Sequence, residues 1–462
     1  MLRANMGANR ADLKGVVMAV LMTQVPKVRL YSNIRALRDP LTFLENVTEK
    51  HQGGVVSLQL RPGFAPYLVG DPDLVQQVWH GSRETYLRKG MMWEVMDRLQ
   101  GTSGIASEGE AWRLSHDVLM PIFTGPTIRA MIPTIAAAVN ATLDDLAVRA
   151  DQPVRLVSEM MEVTHRVFGA TFFGSRMSVS QARQVSVGID ASFRAIQSRI
   201  AVPGAPDWFP MPGDRRFRQL RAMVDSVVYP VAKRARLEPA STDVISLLAH
   251  ATDAAGDHVD IELVRNNLVG LSIAGTETTA LTLTWALIAL AGRPEIAARV
   301  QSEVDTVVGH GQRVTPEHLD GLAYTEMVLN ETLRLWPPGW MLPRGVVQAD
   351  VLDGVPMVPG DTVIVSPYLT QRMASLWPDP HRFDPERWAP DAAKQHPYAW
   401  FPFGGGVHRC LGRHFFAYEA KLALAAMLAR FDVRVDAPKG VAPMVSAALK
   451  PRHPVWLHLT PR

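Results

Sequence analysis

Residues 260–290 constrain the fold more than any other stretch of this chain. The spacing predicts one helix from Asp260 to Leu290, stopped by Gly292-Arg293-Pro294. It is apolar nearly all round, through Leu268, Val269, Leu271, Ile273, Ala280, Leu281, Leu283, Trp285, Ala286, Leu287 and Ile288. A helix with no polar face has to be enclosed by other elements of a large protein. With 462 residues, 47% of them hydrophobic and only 20% charged, the chain has the material to enclose it. Midway lies Ala274-Gly275-Thr276-Glu277-Thr278-Thr279, a polar patch where a buried helix should have none. Burying Glu277 unpaired would be costly, so the patch needs a partner or a purpose.

The second constraint is the one cysteine, Cys410, in Phe403-Gly404-Gly405-Gly406-Val407-His408-Arg409-Cys410-Leu411-Gly412. It has no intrachain disulfide partner, which leaves a buried small hydrophobe, a nucleophile or a metal ligand. Three successive glycines let the backbone pass close to something large and flat. The stretch from Arg413 reads as a helix, so Cys410 sits just before a helix start, where backbone N–H groups favour a thiolate. Such a thiolate suits the axial position of haem iron.

Phe403-x-x-Gly406-x-His408-x-Cys410-x-Gly412 resembles the haem-binding loop of the cytochrome P450 family. The resemblance extends to other motifs in family order. Glu277 and Thr278 fall on the family's acid–alcohol pair, and Ala274 and Gly275 on the small residues that leave room for dioxygen beside the haem. A hydroxyl-rich helix contact would use the same residue types, and threonine hydroxyls bonded to the i−4 carbonyl bend a helix. Glu331 and Arg334 share a helix face, and their apolar neighbours argue for partial burial. The resemblance adds Arg387, in Phe383-Asp384-Pro385-Glu386-Arg387-Trp388, as third member of a structural brace. For the haem propionates it implies His408, Arg344 and the pair Trp112 and His116, the last standing where arginine is more frequent. Arg113 is expected to point elsewhere. Phe403 is implied to shield the thiolate side, with Gly404 and Gly412 part of the same loop.

Helical periodicity dominates residues 107–340. Val55–Leu60 with Tyr67–Gly70 reads as one hairpin, and Val346–Leu352 with Val355–Ser366 about Asp353-Gly354 as another. The fold class is therefore mainly α with small β-sheets, and the resemblance implies the cytochrome P450 fold. Length alone suggests about three domains of roughly 150 residues. No linker, repeat or low-complexity tract divides the chain, so a single domain over 1–462 is expected, with residues 1–30 a loosely packed extension. The net charge of +3 is dispersed and too weak to point to nucleic acid, so no nucleic-acid partner is expected. The apolar run 16–22 is shorter than the roughly 20 residues a membrane span needs, and no cleavage site follows it. A cytoplasmic protein without a membrane span is expected.

The resemblance implies a soluble, bacterial-type haem-thiolate monooxygenase. It would use haem b to place one oxygen atom from dioxygen in a hydrophobic small molecule. Electrons would come from a separate ferredoxin- or flavodoxin-type donor docking near Arg409 and Arg413. An isomerase, dehydratase or peroxygenase on the same fold, and a haem sensor, are the rival readings. Candidate lining for the substrate pocket is Met91, Met92, Trp93, Met96, Ile105, Phe193, Ile196, Trp340, Met341, Met444 and Val445, an adaptable apolar set.

Overall fold

The computed structural model describes residues 25–462 apart from 91, 197, 200–201, 203–207 and 438–440. The apolar run 16–22, Met91, the side chains of Met92 and Phe193, and half of the proline-rich 203–213 segment lie outside the described residues. The chain packs as two compact units built from interleaved segments: 1–90, 340–382 and 394–409 in one, 91–339, 383–393 and 410–462 in the other.

The first unit is organised by a six-stranded sheet. Its strands, in spatial order, are Lys27–Arg29, Val56–Gln59, Tyr67–Val69, Thr362–Val365, Leu342–Val346 and Tyr86–Leu87. Lys27–Arg29, within the stretch expected to pack loosely, pairs parallel with Ser57–Gln59. The hairpin at Val56–Val69 forms as the alternation predicts, with Val56 opposite Leu68. The second predicted hairpin is shorter than expected. Asp350–Leu352 pairs with Val355–Met357 about Asp353 (φ 48°) and Gly354 (φ 72°), the two positive φ values of a tight hairpin turn. Beyond it, Pro359-Gly360 turns the chain again. Gly360 has φ 101° and the Asp361 N–H donates to the Val358 carbonyl at 3.0 Å. Thr362–Val365 is thereby redirected to pair with Leu342–Gly345 in the large sheet.

The second unit is mostly helical. Its long helix runs Ile261–Ala291, capped by the Asp260 side chain accepting from the Glu262 N–H at 2.8 Å. Buried residues lie all round it. Helices Leu156–Phe168, Asp214–Leu237, Ala323–Leu335 and Arg413–Arg430 pack against it. Among the described residues it is the one helix long and apolar enough to cross a membrane, and 67% of its most apolar window is buried inside the protein. Near its end the Trp285 ring stacks on Trp336 at 5.1 Å, and Trp336 stacks on Phe383 at 6.1 Å. Small antiparallel sheets join Val154–Arg155, Trp456–Pro461 and Phe431–Asp436, and Pro443–Met444 to Lys450–Pro451.

The predicted brace is present and more deeply buried than its sequence implied. Glu331 and Arg334 side chains are both 0% exposed and share two 2.8 Å hydrogen bonds. The Arg387 guanidinium stands 3.6 Å from the same carboxylate. The Trp388 indole N–H at 3.1 Å and the Asp384 backbone N–H at 2.9 Å also donate to Glu331. Such a network tolerates burial because each carboxylate lone pair is engaged, while removing one partner strands a charge. Arg334→Met is expected to destabilise the protein by about 3–5 kcal/mol in urea unfolding. Adding Glu331→Met should recover part of that loss.

Candidate functional site

Between Leu263 and Leu287 the long helix is buried except for one window. Ala274 is exposed and Ile273, Gly275, Glu277 and Thr278 are half-buried, while Ser272, Thr276 and Thr279 beside them are buried. A Cβ built on Gly275 meets no atom within 4 Å, so the window opens onto space rather than onto a packed neighbour. Its hydroxyls are satisfied by the helix itself. Thr276 donates to the Ser272 carbonyl at 2.8 Å, Thr278 to Ala274 at 2.6 Å and Thr279 to Gly275 at 3.1 Å. Glu277 has the partner its burial required: it pairs with Lys450, a residue no sequence motif singled out.

Cys410 lies in the same unit as that window. It is exposed, unlike most cysteines. The predicted helix begins directly after it, at Arg413, with Gly412 as N-cap residue. The Gly412 position faces the Cys410 sulfur, 3.9 Å from where a Cβ would stand. Further along that helix Glu419 is 1% exposed, and its Oε2 has no hydrogen-bond partner among the described residues. Burial pushes its carboxyl well above the usual carboxylate range, opposed by a hydrogen bond with Thr279 of the long helix. Sequence reasoning missed Glu419. The available signal was a lone acid among Phe415, Ala420, Leu422 and Ala423, all buried.

Trp112 and His116 come together as the four-residue spacing predicts, with ring centroids 4.7 Å apart. The His116 Nδ1 lies 3.4 Å from Asp117. Arg113 points away as expected, into solvent beside Glu110. Of the candidate pocket residues, Trp93, Met96 and Ile196 are buried, Ile105 is half-buried, and Met444 and Val445 are exposed.

In the other unit, Arg344 is buried, its guanidinium 4.6 Å from the Trp79 ring and donating to the Pro343 carbonyl at 2.8 Å. Two positions of the glycine run also have no room for a side chain within the protein itself. A Cβ on Gly405 would stand 2.5 Å from the Tyr398 ring, and one on Gly406 (φ 61°) 2.2 Å from the Trp79 carbonyl oxygen. Gly404, at φ 66°, packs over the Trp79 ring. Trp79 thus sits against both the loop and Arg344, and nothing in the sequence marked it. Phe403 meets Trp400 edge-on at 6.2 Å. His408 is half-buried, Arg409 exposed, Trp340 buried and Met341 half-buried.

The donor chemistry fits haem. The exposed Cys410 thiol, just before a helix start, suits the iron, and the buried Arg344 guanidinium suits a carboxylate group. The pH response of Glu419 is testable directly. Its folded-state affinity for a proton is raised, so its contribution is intact below the unfolded value of about 4.3 and is lost as pH rises toward the folded one. Glu419→Gln should therefore raise the thermal midpoint over the parent protein by an amount that grows from pH 5 to pH 8.

The profile of the family described as Cytochrome P450 matches residues 30–457. Cyclooctatin synthase of Streptomyces melanosporofaciens is 31% identical over 405 residues, covering 86% of this chain and 86% of that protein. Pentalenene oxygenase of Streptomyces avermitilis is 28% identical over 433 residues, covering 92% and 94%. The crystal structure of cytochrome P450DA heme domain aligns with a TM-score of 0.83 at 22% identity, covering 95% of this chain and 97% of that one, a likeness of fold. By the profile match and by the relative at 31% identity, the chain belongs to the cytochrome P450 family.

Proposed function

We propose a division of labour for this monooxygenase in which Cys410 binds the haem iron and Glu277 and Thr278 handle protons. The overall chemistry is that of the family: a small molecule RH, dioxygen, two electrons and two protons give ROH and water. Haem b, when bound, supplies the iron at which dioxygen is reduced and its O–O bond broken. The observation that carries the residue assignment lies within one compact unit. An exposed thiol just before a helix start accompanies a helix whose buried middle has one open window, and that window bears an acid and an alcohol at consecutive positions.

Each residue then has a physical task. Cys410 donates thiolate electron density, favoured by the helix start after Gly412. Ala274 and Gly275 keep bulk out of the window. Thr278 now donates to the Ala274 carbonyl, and rotation about its χ1 frees the hydroxyl to hand a proton outward from the helix. Glu277, one residue earlier and partly solvated, resupplies it. Arg344, His408, Trp112 and His116 are assigned to the propionates, and Phe403, Gly404 and Gly412 to the cofactor loop. Glu331, Arg334 and Arg387 brace the scaffold without touching the reaction. The interleaved segments support one domain over 1–462.

Electrons come from a redox partner. We assign the donor to the ferredoxin or flavodoxin type, with the charges of Arg409 and of Arg413 as the first to test for docking. The substrate is a hydrophobic small molecule. Pentalenene, named for one relative, is the first to test. One cysteine and no possible intrachain disulfide support a cytoplasmic setting.

Cys410→Ala should abolish the strongly red-shifted Soret band of the ferrous–carbon monoxide complex, read in a protein whose helical circular dichroism is unchanged. Retention of that band removes Cys410 from the iron. Thr278→Ala should raise hydrogen peroxide formed per electron pair several-fold without changing ligand affinity measured by spin-state titration. Unchanged peroxide would assign the proton step to another residue.

A further inference from the structure

The acid of the proposed acid–alcohol pair has a cation of its own, brought to it from far along the chain. Lys450 opens the short strand Lys450–Pro451, which pairs with Pro443–Met444. The turn between these strands is pinned to the long helix twice by consecutive residues. The Trp285 indole N–H donates to the Leu449 carbonyl at 3.0 Å, and Lys450 reaches Glu277. Positions 277 and 285 lie about 12 Å apart along the helix. The Leu449 carbonyl is bonded at one end of that span and Lys450 is paired at the other. Inside the turn the Ser446 hydroxyl bonds the Ala448 carbonyl, and Leu449 is fully buried, so the lysine projects from a fixed base.

Stability is a poor account of this pair. Its side chains are 23% exposed for Glu277 and 32% exposed for Lys450, a setting in which ion pairs contribute little. What the pair fixes is place. Without Lys450 the Glu277 carboxylate is free to turn among its rotamers at the rim of the window. With it, a carboxylate that is still partly open to solvent has a fixed partner, one position before Thr278 in the chain.

We propose that Lys450 is a positioning residue for proton supply: it holds the Glu277 carboxylate where a proton taken from solvent is presented to Thr278. This rests on the reading of Glu277 as the acid that resupplies Thr278. The consequence is a partition between two balanced reductions. Dioxygen with two electrons and two protons gives hydrogen peroxide when the O–O bond survives. With four electrons and four protons, and no substrate present, it gives two waters when the bond breaks. Where and when protons arrive decides the split.

The test uses the full-length, haem-loaded protein with dioxygen as the probe, reduced by a ferredoxin, its reductase and NADPH. Peroxide formed per NADPH is compared in the parent, Lys450→Met, Lys450→Arg, Glu277→Gln and the Lys450→Met/Glu277→Gln double variant. Lys450→Met is expected to raise the peroxide yield at least twofold and Lys450→Arg to keep it near the parent value. The double variant should be no worse than Glu277→Gln alone. A second readout needs no turnover. The carboxylate infrared band that Glu277→Gln removes should shift in Lys450→Met and stay in place in Lys450→Arg. If Glu277→Gln raises peroxide and Lys450→Met does not, the positioning role is overturned while the Glu277 reading stands. If Glu277→Gln leaves peroxide unchanged, the Glu277 reading fails and takes the inference with it. Additive effects in the double variant would place Lys450 in some other task and overturn the inference alone.

Discussion

Enclosure of the helix Ile261–Ala291 is the constraint on which the second unit is built. A thirty-one-residue segment with apolar side chains on every face is stable in water only when other elements surround it. Four helices and the Trp285–Trp336–Phe383 stack do so. Enclosure makes any gap conspicuous. Ala274 is exposed in the middle of this helix because no protein side chain covers it, and Gly275 beside it would have room for a Cβ. The threonines around the gap keep the helix intact by donating to their own i−4 carbonyls, so opening the window did not require breaking the backbone. Rigidity of the surround and availability of the hydroxyl therefore come from the same design. The helix holds Thr278 in a bond that a single side-chain rotation releases.

What was legible in the sequence was what short-range physics determines. The helix limits at Asp260 and Gly292, the turn at Asp353-Gly354 and the helix start after Gly412 all follow from local capping and turn chemistry, and each appears where expected. Glu331 and Arg334 were legible because three-residue spacing places them on one face. The strand limits after Val346 were not, since Pro359-Gly360 adds a second turn that returns Thr362–Val365 to a different partner. Partners supplied from distant segments were equally hidden. Lys450 lies 173 positions after Glu277 (450 − 277), and Trp388 donates to Glu331 from 57 positions away. Trp79 was invisible for the same reason. Its contacts with Gly404–Gly406 and Arg344 are made by tertiary packing, which short-range reasoning does not reach.

Three glutamates in the second unit show how far environment, rather than residue type, sets chemistry. Glu331 is wholly buried, and Arg334, Arg387, Trp388 and a backbone N–H surround its oxygens with donors. Glu419 is as deeply buried but has little beyond the Thr279 hydroxyl, so burial wins and the proton is retained far above the usual range. Glu277 lies between these extremes, partly wet and faced by one lysine. A fully bonded carboxylate like Glu331 has no lone pair to spare for a proton in transit, and a desolvated acid like Glu419 has no route to water. The intermediate environment combines contact with solvent and a charged partner. Glu277 is therefore the carboxylate of the three whose surroundings suit the proposed proton transfer, and Lys450 is the cation that faces it.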